Sequence, residues 1–186
     1  KAWIPVYAAR QLERVLGPSF LEVWGPVSAA DATKAAAFDK YGALLTGTAL
    51  AGADLEKGHA LFAAVCAACH KLHGEGGEVG PDITGANRAD LDYLLSNILD
   101  PSGVIQEDYK MQLITTRDGR TYAGNVTNET ERELTLRIVG QQVRVPKSEI
   151  QDRETTPYSM MPEGLLSTLE DDQVVDLIGY LQSAVE

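Results

Sequence analysis

The chain has 186 residues, enough for one domain or one domain plus a small module around a proper buried core. Its formal net charge of −11, from 27 acidic against 16 basic residues, argues against nucleic acid or anionic lipid surfaces as partners. No apolar run approaches the ~20 residues that span a bilayer, so no transmembrane segment is expected here.

Residue 1 is Lys rather than Met and no export signal is visible, so the chain reads as a mature fragment or an excised domain. Residues 6–16 form a helical pattern broken by Gly17-Pro18, residues 20–24 a short one before Gly25-Pro26, and residues 29–45 a longer one. Two readings of this 1–52 helical extension stay open. Pro-punctuated helix pairs fit the tail of a helical-repeat array, or they pack on the domain that follows.

The next helical run, residues 55–69, is alanine-rich and ends in Cys66-Ala67-Ala68-Cys69-His70, which contains both cysteines of the chain. Two thiols three apart with a histidine directly after them form the attachment pattern of a c-type haem. The thiols add across two vinyl groups and the imidazole ligates the iron from one face. On one helical turn Cys66 and Cys69 point the same way and His70 projects over the ring. A thioredoxin-like pair would follow a strand, and none precedes this motif. A zinc site drawn from Cys66, Cys69, His70 and His73 lacks a second ligand pair at knuckle spacing, and adjacent Cys69 and His70 converge poorly on one tetrahedral ion. One covalent haem c through Cys66 and Cys69, with His70 as axial ligand, is the reading carried forward.

Phe62 and Gly58 lie four and eight residues before Cys66 on one helix face, and Leu177 and Tyr180 are three apart in an apolar stripe near the C-terminus. The pair resembles the first and last helices of class I cytochromes c, which cross where a glycine and an aromatic meet a Leu-x-x-aromatic pattern. Gly58, having no side chain, lets the two backbones approach closely. In the cytochromes that residues 74–82 resemble, a Gly-Pro carbonyl accepts the proton of the ligand imidazole. That resemblance gives Pro81 the task of orienting His70 and raising its basicity. Arg88 is a candidate partner for a haem propionate, against the plainer reading of a solvated arginine at a helix start. Residues 90–99 then read as a helix that Pro101 stops.

From Tyr109 to Tyr158 the period changes from helical to alternating. Residues 112–116, 121–126, 134–139, 143–145 and 150–154 read as five short strands joined by turns at 117–120, 128–130, 140–141 and 146–149. This β insertion, about residues 110–156, suggests a small SH3- or Sm-like barrel used for structure or docking, with its two ends close together. Beyond it, the Met160-Met161-Pro162 stretch is similar to the loop that supplies the distal thioether in small bacterial cytochromes. Pro162 forces the residue before it to be extended, which favours Met161 over Met160 as second axial ligand. Met111, His59 and His73 are the weaker candidates. A thioether ligand favours ferrous iron and a high potential.

The order of Cys-x-x-Cys-His with the blocks at 79–85, 94–102, 116–120, 159–166 and 176–181 resembles a haem-binding domain family of planctomycetes and verrucomicrobia, with mild departures at Ile83 and Met160. Its members often end large secreted, dehydrogenase-like proteins. The resemblance implies a mainly α, class I cytochrome c fold over residues 53–186 and an electron carrier rather than an enzyme. It also implies an exported location and a redox partner protein or fused dehydrogenase domain, with a basic docking surface matching this chain's acidity. The alternative is a haem enzyme or gas sensor with an open or labile distal site.

Overall fold

A computed structural model describes residues 29–184; the expected helices at residues 6–16 and 20–24 lie outside the described residues. Among those residues the architecture is mixed rather than mainly α, with five helices and a five-stranded antiparallel sheet. The helices are α1 (Ala29–Leu44), α2 (Gly47–Ala51), α3 (Leu55–Val65), α4 (Leu91–Leu99) and α5 (Asp171–Gln182). A two-residue hairpin, β1 (Lys71–Leu72) with β2 (Glu75–Gly76), lies between α3 and α4. No helix among the described residues is long and apolar enough to cross a membrane.

Helix α3 starts where Asp54 caps the amide of Lys57, and α5 carries a capping box between Glu170 and Gln173. The two cross at Gly58. A Cβ built there would sit 2.2 Å from the Asp176 carbonyl oxygen and 2.6 Å from the Tyr180 Cβ. On the other helix a Cβ at Gly179 would lie 2.5 Å from that of Ala53. Phe62 packs its ring 5.8 Å from that of Tyr180 just beyond the crossing. Around this contact Phe62, Leu72, Leu94, Leu95, Leu166, Val174, Leu177, Ile178 and Leu181 form the main core. Phe38, Tyr41 and Leu45, from α1 and the residue after it, are buried in the same core.

The insertion holds a separate small core of Ile114, Leu134, Leu136 and Val145. Its strands are β3 (Met111–Thr116), β4 (Thr121–Glu129), β5 (Glu133–Ile138), β6 (Gln141–Pro146) and β7 (Ile150–Thr155), in the order β6-β5-β4-β3-β7. The meander turns back so that its last strand pairs with its first, Gln112 opposite Thr155, and the two ends are neighbours. Gly119 and Gly140 take the left-handed conformation in two of its hairpins. Strand β4 is longer than the alternation suggests. It runs into the expected turn at 128–130 as far as Glu129, and a bulge between Val126 and Asn128 absorbs the extra residue.

Candidate functional site

Helix α3 ends at Val65, so the cysteine motif occupies the hydrogen-bonded turn after the helix rather than a helical turn within it. The chain tightens there. Cys66 and Ala67 both donate to the Phe62 carbonyl, and Cys69 and His70 both donate to that of Cys66. The i to i+4 bond from His70 to Cys66 keeps helix-like spacing, so both thiols and the imidazole still belong to one turn. Burial, with a smaller contribution from Cys69, pushes the Cys66 thiol up to about 11. Burial also raises Cys69. A redox-active pair needs a lowered thiol pKa, and these two shifts run the other way.

His70 is fixed from below by the glycine-rich loop. Its Nδ1 lies 3.1 Å from the Pro81 carbonyl oxygen, which accepts the ring proton and leaves Nε2 as the nitrogen with a free lone pair. Gly80 packs flat on the imidazole, since a Cβ there would come 2.5 Å from Cε1. The Gly80 amide donates to the Cys69 carbonyl at 2.8 Å, tying the loop to the motif. Lys71, next in sequence to His70, bonds the Ile83 amide through its carbonyl and the Glu78 carboxylate through its ammonium.

The sulfur of Met161 lies near His70. Met161 packs against the main core, and its amide donates to Ser159 Oγ at 3.1 Å. The Ser159 amide in turn donates to Ser102 Oγ, which ties the loop to the chain just past Pro101. Met111 is remote in role, opening β3 with its carbonyl bound to the Thr156 amide. His59 faces outward to Glu75 at 2.9 Å. His73 packs edge-on to Tyr180 at 6.2 Å, its ring nitrogens buried without a hydrogen-bond partner among the described residues. Burial first and Arg88 second hold its pKa below the ordinary value.

Arg88 sits half-buried among backbone carbonyls. Its guanidinium donates to the carbonyls of Thr84, Leu181 and Ser183, four contacts that use most of its five N–H groups. It therefore closes the C-terminal end of α5, where unpaired carbonyls and the helix dipole favour a cation. Half-buried and hydrogen-bonded in this way, the guanidinium is held to the backbone rather than freely solvated.

Sequence reasoning missed Asn125 and Arg137. Asn125 Nδ2 donates to the Val79 carbonyl at 2.7 Å and Arg137 to the Glu78 carbonyl at 2.6 Å, joining the insertion to the loop under His70. The one available signal was an asparagine inside a strand pattern, where this residue type is depleted.

The donor set suits a covalent haem. Two thiols and an imidazole share one turn, the imidazole's orientation is fixed through Nδ1, and a thioether stands near it. Among the described residues no group of three or more His, Cys, Asp or Glu side chains is arranged to hold a metal ion by itself, so Cys66, Cys69, His70 and His73 do not converge as a zinc set would. No curated protein matches the chain. Residues 55–184 match the cytochrome c family, more than half of the chain. The chain belongs to the cytochrome c family, and its single Cys66-x-x-Cys69-His70 set implies one covalently bound haem c for electron transfer.

Proposed function

We propose that this chain is a monohaem electron carrier whose iron is held between His70 and Met161, with thioether links at Cys66 and Cys69. The observation that carries this reading is the contact between His70 Nδ1 and the Pro81 carbonyl. It commits Nδ1 to the protein and presents Nε2 outward as a more basic ligand. When bound, the haem supplies a one-electron ferrous/ferric couple. The chain's residues fix the imidazole, present the Met161 thioether and surround both with core side chains, so little has to reorganise when the charge changes. Within the family, the ordered blocks support an affinity with the haem-binding domains of planctomycetes and verrucomicrobia. The role that follows is acceptor or relay for a dehydrogenase, as a separate molecule or a fused domain. Covalent haem attachment in bacteria takes place outside the cytoplasm, which supports an exported location.

Absorption spectra of both redox states, with and without carbon monoxide, test this directly. The native protein should be low-spin in both states and slow to bind carbon monoxide. Met161→Ala should give a ligand-accepting haem with a lower potential, whereas Met160→Ala should leave the iron nearly unchanged. A native ferrous form that takes up carbon monoxide as readily as Met161→Ala would replace this reading with an open-site enzyme or sensor.

A further inference from the structure

Two consecutive carbonyls of the loop below His70 are held from the β insertion, and the residues that hold them form a pair. Asn125 on β4 and Arg137 on β5 lie directly opposite each other in the ladder, so their side chains project from the same face of the sheet. The neighbouring pair Val126 and Leu136 projects to the other face, where Leu134 and Leu136 build the insertion's own core. Asn125 and Arg137 thus point away from that core, at Val79 and Glu78. Asn125 is only 2% exposed and Val79 6%, so the contact between them is a buried one.

The geometry points to a brace that runs from the insertion to the axial imidazole. The peptide between Val79 and Gly80 is a rigid plane. Its oxygen accepts from Asn125 and its N–H donates to the Cys69 carbonyl, so both ends are pinned. The next atom along is the Gly80 Cα, lying flat against the His70 ring, and one residue further is the Pro81 carbonyl that accepts the ring proton. A loop rich in glycine does not hold such a plane unaided, because glycine carries the largest backbone entropy. Asn125 supplies the missing constraint. Its Oδ1 has no partner in the described residues, a cost that an apolar side chain would avoid. The position is therefore occupied for its donor.

We infer that Asn125, seconded by Arg137, is a positioning residue for the proximal ligand, and that the insertion thereby sets the reduction potential. This rests on His70 being the axial ligand. Loosening the plane weakens the bond from His70 to Pro81, the imidazole becomes less basic, ferric iron loses support and the potential rises.

The test uses the full haem-loaded chain with Asn125→Leu, which removes the donor without changing charge, and Asn125→Ser, which is too short to reach Val79, should the larger residue prevent folding. Leu134→Ala, which damages the same sheet away from the loop, is the control for lost stability. Either Asn125 variant should shift the ferrous/ferric equilibrium about fivefold to tenfold towards ferrous, up to ~59 mV for one electron. It should also move the hyperfine-shifted ring resonances of the axial imidazole in the ferric protein. Leu134→Ala should lower the melting temperature and leave both readouts in place. A potential within twofold of native in the Asn125 variants, or an equal shift in Leu134→Ala, overturns the brace. Absence of an axial imidazole signature in the native protein would instead remove the ligand assignment on which the brace depends.

Discussion

Replacing Gly58 by Ala separates two opposite expectations. On an isolated helix the change adds about 1 kcal/mol of helix propensity and should stabilise. Here the added carbon would lie 2.2 Å from a main-chain oxygen of α5 and 2.6 Å from the Tyr180 Cβ. A carbonyl inside a helix cannot rotate aside, so relief requires α3 and α5 to move apart by about 1 Å, and a gap of 0.5–1 Å already forfeits a quarter to a half of the dispersion energy of the contacts it opens. The contacts at risk include Phe62 against Tyr180 and the Val174, Leu177 and Ile178 stripe. Overpacking of this kind costs ~1–3 kcal/mol and occasionally more.

A 2.2 Å contact with main chain puts Gly58→Ala at the upper end of that range, so after the propensity gain it is expected to lose ~2 kcal/mol, which for a chain of this size lowers Tm by about 4–8 °C. The assay is thermal unfolding of the haem-loaded protein followed by circular dichroism, beside Ala60→Gly on the exposed face of α3. Ala60→Gly should lose about 1 kcal/mol by propensity alone. An unchanged or raised Tm for Gly58→Ala would refute the close crossing and leave Gly58 as an ordinary helical glycine.

Two further outcomes follow from the side-chain network. Arg88→Met removes the cation from the end of α5 and should cost ~1–3 kcal/mol in chemical denaturation while leaving the reduction potential in place; a clear fall in potential would return Arg88 to a propionate. Glu129 bridges Lys147 at 2.7 Å and Arg153 at 3.0 Å, and those bonds hold its pKa below the ordinary 4.5. A depressed carboxylate contributes stability above its unfolded value and loses it as pH falls through the folded one, so the native protein should exceed Glu129→Gln in stability above pH 4.5, with the gap closing below it. A gap that widens on acidification would contradict the ion-pair account.

The parts of the fold that follow chemistry or period were legible in the sequence. Attachment of a haem demands two thiols and an imidazole at fixed spacing, and Gly58 with Phe62 against Leu177 with Tyr180 stands out as a crossing because only glycine tolerates such contact. Five strands were readable from alternation and from turn glycines such as Gly119 and Gly140. The end of α3 was not, because Ala63, Ala64, Ala67 and Ala68 continue the helical pattern and nothing in it marks Val65 as the last residue. The β1–β2 hairpin was invisible for the opposite reason, since two residues per strand carry no period. Nor does alternation show that Asn125 is buried. It places Asn125 on the outer, polar face of β4, and only docking against a loop 46 residues earlier covers it.

The motifs that mark the haem site lie on segments poor in rigidity of their own, a glycine-rich loop packed on the His70 imidazole and a Met-Pro loop whose Met161 sulfur lies near it. Their support comes from outside the motifs. The proximal loop is pinned by Asn125 and Arg137 of the insertion. The Met-Pro loop is held at Glu163, two residues past Met161, by Lys34 of α1 at 2.9 Å, and the same ammonium pairs with Asp100, which is only 8% exposed. Helix α1 precedes the family match at residues 55–184, yet it carries more than this ion pair. Burial of Phe38 and Leu45 alone contributes ~3–6 kcal/mol at ~1.5–3 kcal/mol per large apolar side chain, a large share of the 5–15 kcal/mol that holds a typical domain together. The physical unit that holds His70 and Met161 in place is therefore larger than the stretch its motifs define. A boundary drawn just before α3 would cut through the core and leave Asp100 buried without its cation.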